Sequence, residues 1–424
     1  MIAPLRALCY PAALLAGLIL LMNSSWAGSP DQPPPAGHLT VHEWGTFLSM
    51  QGSNGVTLGG MVDSDEVLPP FVRERVLRGL SRAKMFQKME TPVTYFYPDR
   101  PMTVDVRVNM HRGLLTHWFP AVNYFEPSVT QPKGVKKPVE DSLLCWHGLQ
   151  LVPEHGKSAT PFAFPTVAKD SIWRFARETD SAVVRINRGT AKQPHFVDEK
   201  FLFYRGLGKF HLPLEIRSTG TGSTTQMVLR NTGPYSLPPA FAIRVQHGTV
   251  AFVALPALPA GGSHELALAS FGKPLPAEMG VAHVKDGVAA GLVRAGLYPK
   301  EARAMVNTWE HSYFRTDGWR VLYLLPRQTI DAVIPISIQP TPERLVRVMV
   351  GRVEVLTPEK ERGMEKAVAD LGSSSTEVRK AAQAELAKLG RFQEPVLHRV
   401  AAETQRADVR ARAEQLLKQL PAPQ

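Results

Sequence analysis

Apolar and polar residues alternate with a period of two through several short segments of the first half of the chain. The clearest is 102–109 (MTVDVRVN), and similar strand signals recur at 93–97, 143–152, 182–186 and 200–204. Because successive residues of a strand point to opposite faces of a sheet, this alternation predicts half-buried strands. The segment 67–89 differs, since its apolar residues have helical spacing and predict a helix.

Strand signals become shorter and more closely spaced between residues 210 and 272, where Gly, Asn and Pro turns separate them. The predicted strands lie at 212–217, 225–230, 241–245 and 250–255. Short strands at this spacing are typical of an immunoglobulin-like sandwich, although the cysteine and tryptophan landmarks of true immunoglobulin domains are missing. We therefore predict an immunoglobulin-like β block over 210–272.

The segment 273–357 mixes both patterns. Apolar positions at helical intervals over 286–314, interrupted at 296–299, predict two helices. Apolar runs that predict strands follow at 320–325, 331–338 and 345–355. Two arrangements are open: these strands complete the first sheet, or they form a mixed α/β unit around the two helices.

The last segment, 358–424, is polar and helical, with an internal echo about 31 positions apart. The stretch 377–382 (EVRKAA) returns as 408–413 (DVRARA). This pattern resembles HEAT-type repeats, whose stacked helices bury a shared apolar face. Two units are fewer than a free solenoid needs, so we expect the tail to pack on the body or on a partner.

These patterns together predict a mainly β, α+β protein, with a β-sandwich-type body and a C-terminal α-helical HEAT-like segment. The chain has 424 residues, enough for several domains. The predicted division is a signal peptide (1–27), a linker (28–38), a β-rich N-terminal domain (39–209), the immunoglobulin-like block (210–272), the mixed segment packing on the body (273–357) and the tail (358–424).

The N-terminus has the three parts of a secretory signal peptide. Arg6 is positively charged, 13–22 (ALLAGLILLM) is apolar, and 25–27 (SWA) places small residues where a signal peptidase cleaves. The apolar stretch is shorter than the roughly 20 residues of a membrane span. We therefore expect cleavage after Ala27, export to the periplasm or the medium, and no membrane span in the mature chain.

Charge and cysteine content narrow the functional classes. The formal net charge is +11, but the basic residues are scattered and no zinc-knuckle, RNP or basic-helix pattern occurs, so nucleic-acid binding is not expected. A protein or polysaccharide partner, bound through the β body or the helical tail, fits better. Cys9 belongs to the signal peptide, and Cys145 lies in an apolar run that predicts a buried structural thiol.

Four motifs stand out in the body: 42–47 (HEWGTF), 89–97 (METPVTYFY), 203–206 (FYRG) and 346–352 (VRVMVGR). Together they resemble an uncharacterised family of exported bacterial proteins. The resemblance spans residues 40–357 and implies no activity, cofactor or catalytic residue. The HEAT-like tail lies outside it and is expected to be a separate addition.

The histidine–glutamate pair of HEWGTF raises the question of a metal or acid–base site. On a strand, His42, Trp44 and Thr46 point to one face, whereas Glu43 and Phe47 point to the other. One strand therefore cannot readily offer both His42 and Glu43 to one metal. The zinc-binding HExxH helix is excluded because its second histidine would stand at Thr46. We predict the start of a buried strand, with His42 packed beside Trp44.

Histidines from distant segments offer an alternative. His111 and His117 flank the turn at 112–113, and His147 lies near the end of another predicted strand. With His42 and Glu90, they would suit zinc or another divalent metal. No spacing requires this site, so no cofactor is predicted, although a metal is possible in principle.

Carboxylates provide a second catalytic hypothesis. Glu43, Glu90, Glu178 and Asp180 lie in or beside predicted strands, and glycoside hydrolysis uses paired carboxylates. Ion-paired strand ends explain the same residues. No Gly-x-Ser-x-Gly elbow, Walker loop or dinucleotide fingerprint occurs where a strand–turn–helix would require it.

Three arginines in the motifs, Arg205, Arg347 and Arg352, are of interest as binding elements for a carboxylate. If Glu90 or Glu178 is buried, it is the expected partner, and the arginines are then structural clamps rather than ligand sites. The favoured hypothesis is an exported multidomain binding or scaffolding protein of the cell envelope. The alternative is a periplasmic or secreted hydrolase, metal- or carboxylate-dependent, that acts on an envelope or extracellular polymer. Whether the protein is an enzyme stays open at this point.

Overall fold

The computed structural model describes residues 38–64, 67–75, 82–127, 141–153, 161–190 and 192–420. The predicted signal peptide, nearly all of the predicted linker and residues 76–81 of the predicted helix lie outside this part. Among the described residues, no helix is both long enough and apolar enough to cross a membrane. The described chain forms a β-rich α+β body with a helical tail, which confirms the predicted fold class.

A ten-stranded sheet is the centre of the body. In spatial order its strands are β16 (Leu275–Pro276), β14 (Thr249–Leu255), β13 (Ala240–Gln246), β17 (Gly318–Leu324), β19 (Arg344–Val355), β1 (Leu39–Gln51), β3 (Gln87–Pro98), β10 (Leu202–Gly208), β5 (Gly113–Phe119) and β2 (Arg73–Glu74). Strand β1 is parallel to β19 and antiparallel to β3. Residues as distant in sequence as Thr40 and Arg344 therefore pair directly.

Two smaller sheets cover one face of this central sheet, which we call the sheet-packed face. The first contains β18 (Ile336–Gln339), β4 (Met102–His111), β7 (Asp141–Val152), β8 (Val183–Asn187) and β9 (Phe196–Glu199), with β6 (Tyr124–Glu126) paired to β7. The second contains β11 (Leu214–Thr219), β12 (Gln226–Asn231) and β15 (Ser263–Ala267). One hydrophobic core joins all three sheets and includes Phe47, Val106 and Ile216.

Helices cover the opposite, helix-packed face. They are α1 (Trp173–Arg177), α2 (Ala277–Arg294), α3 (Pro299–Trp309) and a π-helix (Glu310–Arg315) that continues α3. Their core includes Trp44 and Tyr95 from the sheet with Val284 and Trp309 from the helices. A further helix, α4 (Arg327–Val333), buries Ile330 in the core of the sheet-packed face.

The break between α2 and α3 falls where the sequence predicted it, at 296–299. Gly296 has φ +111°, in the left-handed region that favours glycine after a helix end. Pro299 is the first residue of α3. The N–H at this position has no partner within a helix, so proline costs no helical hydrogen bond there. The Glu301 carboxylate accepts the Tyr298 N–H at 2.7 Å and so caps the new helix.

The tail contains four helices, α5 (Pro358–Asp370), α6 (Thr376–Ala387), α7 (Gln393–Glu403) and α8 (Ala407–Gln419). The hydroxyls of Thr357 and Ser375 cap α5 and α6. Tail and body share one core, in which Leu48 from β1 lies with Met364 and Val396. The tail therefore packs on the body, one of the two arrangements expected from its short length.

Strands β17 and β19 complete the central sheet, which settles the arrangement left open for 273–357. The predicted immunoglobulin-like block is wrong as a separate sandwich. Its strands divide between two sheets: β13 and β14 extend the central sheet, whereas β11, β12 and β15 form the small sheet. Period-two alternation indicates which face of a strand is buried, but it does not identify the neighbouring strand.

Two local predictions also fail. The described parts of 67–89 contain β2, a short 3-10 helix (Arg82–Lys84) and the start of β3, but no α-helix. Phe71, which was predicted to lie on the helix, packs against Phe119 and Trp173 from a turn. The run at 331–338 is the end of α4 followed by β18, because a short apolar run does not distinguish a buried helix from a strand.

Candidate functional site

The four sequence motifs occupy four adjacent strands. HEWGTF lies on β1, METPVTYFY on β3, FYRG on β10 and VRVMVGR on β19, in the spatial order β19–β1–β3–β10. The alternation predicted for β1 holds, since Trp44 lies in the core of the helix-packed face and Phe47 in the core of the sheet-packed face. His42 and Glu43 consequently belong to separate networks.

On the helix-packed face, His42 is fully buried against the start of α3. Its Nδ1 donates to Oε2 of Glu301 at 2.7 Å, and the Tyr97 hydroxyl donates to Oε1 at 2.8 Å. The Tyr298 ring lies over the imidazole with 4.4 Å between ring centroids. We call His42, Tyr97, Tyr298 and Glu301 the His42 cluster.

On the sheet-packed face, Glu43 accepts hydrogen bonds from Arg347 Nε and from the Tyr204 hydroxyl. The same guanidinium donates to Asp331 Oδ1 and to the Ile334 carbonyl, each at 2.7 Å. Burial alone would lower the pKa of Arg347, but the charge of Glu43 raises it above its ordinary value. An arginine clamp on a buried glutamate was predicted, although its carboxylate is Glu43 rather than Glu90 or Glu178.

A second group of buried polar residues crosses the helix-packed face between α3 and the tail. This polar belt consists of Lys88, Glu90, Arg205, Tyr313, Arg352, Glu354 and Arg391. Arg391 from the tail donates to Glu90 Oε1 at 2.5 Å, and Arg352 donates to Glu354 Oε1 at 2.7 Å. The belt therefore ties the central sheet to the tail through charged hydrogen bonds.

Electrostatics in the belt favour the ionised carboxylate. Burial would raise the pKa of Glu90, but Arg391, Lys88 and Arg352 together hold it below its ordinary value. Burial lowers the pKa of Lys88 to about 7. Lys88 donates to the Val62 carbonyl at 2.6 Å, which fixes its amine beside the sheet.

Backbone irregularities coincide with the belt. Thr91 has φ +47°, which is unfavourable for a β-branched residue, and β1 bulges between Trp44 and Thr46. A Cβ on Gly45 would come within 2.9 Å of Pro92 Cα, so this approach requires glycine. Strain of this kind concentrates where surrounding structure enforces a particular side-chain arrangement. Here both irregularities adjoin Glu90, the carboxylate that binds Arg391.

The remaining carboxylate candidates lie on the surface. Glu178 is exposed, and the exposed Asp180 pairs with Lys300 of α3. The neighbouring Arg177 binds Glu199, with Nη2 to Oε2 at 2.7 Å. Glu43, Glu90 and Asp180 thus belong to three different contacts, with Arg347, Arg391 and Lys300.

The four candidate histidines are not brought together either. His111 pairs with Asp141 at 3.0 Å and His147 with Asp105 at 3.3 Å, both on the surface. His117 lies 3.6 Å from Glu74, and His42 contacts Glu301. Within the described part of the chain, no group of three or more His, Cys, Asp or Glu side chains is arranged to hold a metal ion.

His117 nevertheless has an unusual environment. Burial, with Arg205 and Lys88 nearby, lowers its pKa to about 3. Glu74 is nearly half exposed, so water screens its attraction and leaves burial dominant. The ring is therefore neutral over the physiological pH range. Cys145 is buried, as predicted, and burial raises the pKa of its thiol.

Sequence reasoning missed Glu301, Tyr298 and Arg391. Glu301 stands three residues after Tyr298 at the predicted helix start, which is a capping-box position and was the only available signal. Arg391 lies in the tail, 301 residues from Glu90. No local pattern links residues so far apart.

No known family model matches this chain, and no curated protein matches it in sequence. Among solved structures, the yeast delta-COP-I mu-homology domain is similar at 8% identity, over 76% of this chain and 98% of that chain, with a TM-score of 0.25. The same domain complexed with the Dsl1 WxWxV peptide is similar at 8% identity, over the same shares, with a TM-score of 0.24. Values this low do not establish a common fold. The family resemblance of the four motifs remains a prediction.

Proposed function

We propose that the protein is an exported binding or scaffolding protein of the cell envelope, whose β body holds the helical tail in a fixed position for a partner. The observation that carries this proposal is the attachment of tail to body. Besides the bond from Arg391 to Glu90, Arg82 Nε donates to Glu394 Oε2 at 2.7 Å. The Ser53 N–H donates to Glu361 Oε1 at 2.9 Å.

A groove between α5 and α7 is the candidate contact surface on the tail. Its cavity volume is about 210 Å³, which is smaller than the roughly 300–1,000 Å³ of pockets that enclose a whole small molecule. Leu356, Met364 and Val396 form its apolar base, and its charged side chains are Glu361, Arg362, Glu365, Arg399 and Glu403. An apolar base with charges of both signs suits a peptide segment of a protein partner.

The hydrolase alternative has less support from the geometry. A carboxylate that acts as general acid or base must face a substrate cavity. Glu43 and Glu90 are buried and each is bound to an arginine, whereas Glu178 and Asp180 are on the surface. The residues predicted to carry catalysis therefore stabilise the fold or face solvent.

Export is supported by the N-terminal sequence pattern and is tested by cell fractionation. When residues 1–424 are expressed, we expect the protein in the envelope or medium fraction to be a shorter chain that begins at Gly28. A matched variant with 13–22 made polar should stay in the cytoplasm at full length. Cytoplasmic full-length protein in both cases would contradict the export proposal.

Partner binding through the groove is tested by site-specific photo-crosslinking in cells. A photoreactive residue at the exposed Arg362 should capture a defined envelope protein, whereas one at the exposed Lys380 of α6 should not. The purified partner should then bind wild-type protein at least tenfold more tightly than Arg362→Glu, which is about 1.4 kcal/mol. Equal crosslinking at both positions, or equal affinity, would rule out the groove.

A further inference from the structure

The groove between α5 and α7 has the volume of one large side chain. Its cavity volume is about 210 Å³. An apolar cavity of roughly 150 Å³ is enough to hold benzene, so the groove has space for one aromatic ring of a partner but not for several. Arg362 and Glu403 belong to its lining and are exposed, so this space opens to solvent. A peptide segment that binds here can therefore insert a single anchoring residue.

Glu365 is the one carboxylate of the groove that no cation pairs with among the described residues. Glu361 and Glu403 both accept hydrogen bonds from Arg399, at 3.0 and 2.8 Å. Glu365 is half-buried, and the Thr404 hydroxyl donates to its Oε1 at 2.6 Å. Since a carboxylate accepts hydrogen bonds at both oxygens, Oε2 of Glu365 is left for a donor of the ligand.

The other groups of the groove suit an aromatic ring. Met364 and Val396 belong to its apolar base, and a methionine thioether packs favourably against aromatic rings. Arg362 forms no hydrogen bond or ion pair with any described residue, so its guanidinium can stack on a ring. Phenylalanine would use these groups but offer no donor to Glu365. Lysine would offer a donor but place its charge beside that of Arg362.

We propose that the groove binds one tyrosine side chain of a partner's peptide segment. The ring lies on Met364 and Val396, with the Arg362 guanidinium against its face. The hydroxyl donates to Glu365, so tyrosine uses both the apolar and the polar groups of the groove. This inference rests on the proposed function, because it names the residue by which the partner is anchored to the tail.

Binding is tested with N-acetyl-tyrosine amide, titrated at millimolar concentrations into the mature protein, residues 28–424. NMR of labelled methionine methyl groups follows Met364 at the base of the groove, and Met364→Leu assigns its signal. We expect this signal to shift, and N-acetyl-phenylalanine amide to bind at least tenfold more weakly, a difference of about 1.4 kcal/mol. The absence of a shift would overturn the proposal. Equal or tighter binding of the phenylalanine amide, or of N-acetyl-lysine amide, would also overturn it.

Two variants locate the tyrosine within the groove. Glu365→Gln keeps the side-chain shape but replaces the charged acceptor with a neutral one, so it should bind the tyrosine and phenylalanine amides with affinities within about threefold of each other. Val400→Phe places a ring in the groove and should abolish binding of the tyrosine amide. Val378→Phe adds the same ring on the exposed side of α6 and should bind like wild type. Unchanged tyrosine preference in Glu365→Gln, or unchanged binding in a folded Val400→Phe, would contradict the site.

Failure of this inference differs from failure of the proposed function. If the partner captured at position 362 is captured equally in the Val400→Phe variant, partner binding stands and the tyrosine anchor is wrong. If no partner is captured at position 362 while the tyrosine amide still shifts the Met364 signal, the tyrosine site stands and the proposed function of the groove is wrong.

Discussion

Glu90→Gln is the most direct test of how the tail is attached. Both side chains of the Glu90–Arg391 pair are almost inaccessible to solvent, at 4% and 1% exposure, and the Arg391 Nη1 to Oε1 distance is 2.5 Å. Lys88 and Arg352 also act on this carboxylate electrostatically. The substitution keeps the shape of the side chain but removes the negative charge among these buried cations.

The expected cost follows from the burial of the pair. Removing one partner of a buried ion pair typically destabilises a protein by about 3–5 kcal/mol, because the other charge stays buried without compensation. Total stabilities are only about 5–15 kcal/mol, so this loss is large. We expect the unfolding free energy of Glu90→Gln to fall by roughly 3 kcal/mol or more.

Urea denaturation with two probes locates the loss. All seven tryptophans precede the tail, and Trp26 belongs to the predicted signal peptide, so the fluorescence of the other six reports on the body, whereas far-ultraviolet circular dichroism includes the tail helices. If the pair holds the tail, the helical signal of Glu90→Gln should be lost at lower urea than the fluorescence signal. Wild type should show coincident transitions.

The double variant Glu90→Gln/Arg391→Met is the control. It removes both charges and replaces arginine with an apolar side chain, so its cost should be well below the sum of the two single costs. The reasoning would be refuted if Glu90→Gln cost less than about 1 kcal/mol, the value of an exposed pair. Additive single costs would refute it equally.

Three further predictions concern other parts of the fold. Because the pKa of His117 is lowered to about 3, the native state resists its protonation while the unfolded chain binds a proton near its ordinary value of 6.5. The free energy of unfolding should therefore fall as the pH drops below 6.5, and this group should account for roughly 2 kcal/mol of the loss at pH 5. His117→Gln should remove that part of the loss, as measured by urea titrations above pH 6.5 and at pH 5. Thr91→Gly should raise the melting temperature, since it relieves a φ of +47° at a β-branched residue; a clear decrease would show that the side chain contributes more than the strain costs. Val409→Ala on α8 should cost roughly 2 kcal/mol of stability because Val409 is fully buried. Val378 is the equivalent residue of the other repeat and is 37% exposed, so Val378→Ala should cost under about 0.5 kcal/mol. Equal losses of the two variants in thermal unfolding would contradict the packing.

Period-two alternation identified most strands of the body because most of them bury at least one face. It could not assign neighbours, since pairing depends on contacts between distant segments such as Thr40 and Arg344. The immunoglobulin-like block failed for this reason: strand spacing was interpreted as local topology. In the described residues of 67–89, where a helix was predicted, Phe71 packs against Phe119 from a turn rather than from an α-helix.

Within the candidate site, the sequence predicted which side of β1 each residue faces. Separation of His42 from Glu43 followed from the strand period alone. The sequence could not show that Glu301 receives His42, because the two residues are 259 positions apart. For Arg347 it offered Glu90 or Glu178 as the partner, whereas the structure has Glu43, since side-chain chemistry identifies a suitable type of partner but not which residue lies nearby.

The tail contacts a residue of one sequence motif in the body and apolar residues of β1. Glu90 belongs to a motif within the body, yet the cation that binds it most directly comes from the tail. Leu48 on β1 is likewise fully buried in a core made mainly of tail residues. A body that ended at residue 357 would expose this apolar surface and leave Glu90 without Arg391. The strand that carries HEWGTF is therefore complete only when the tail is packed against it, and the body and tail act as one folding unit.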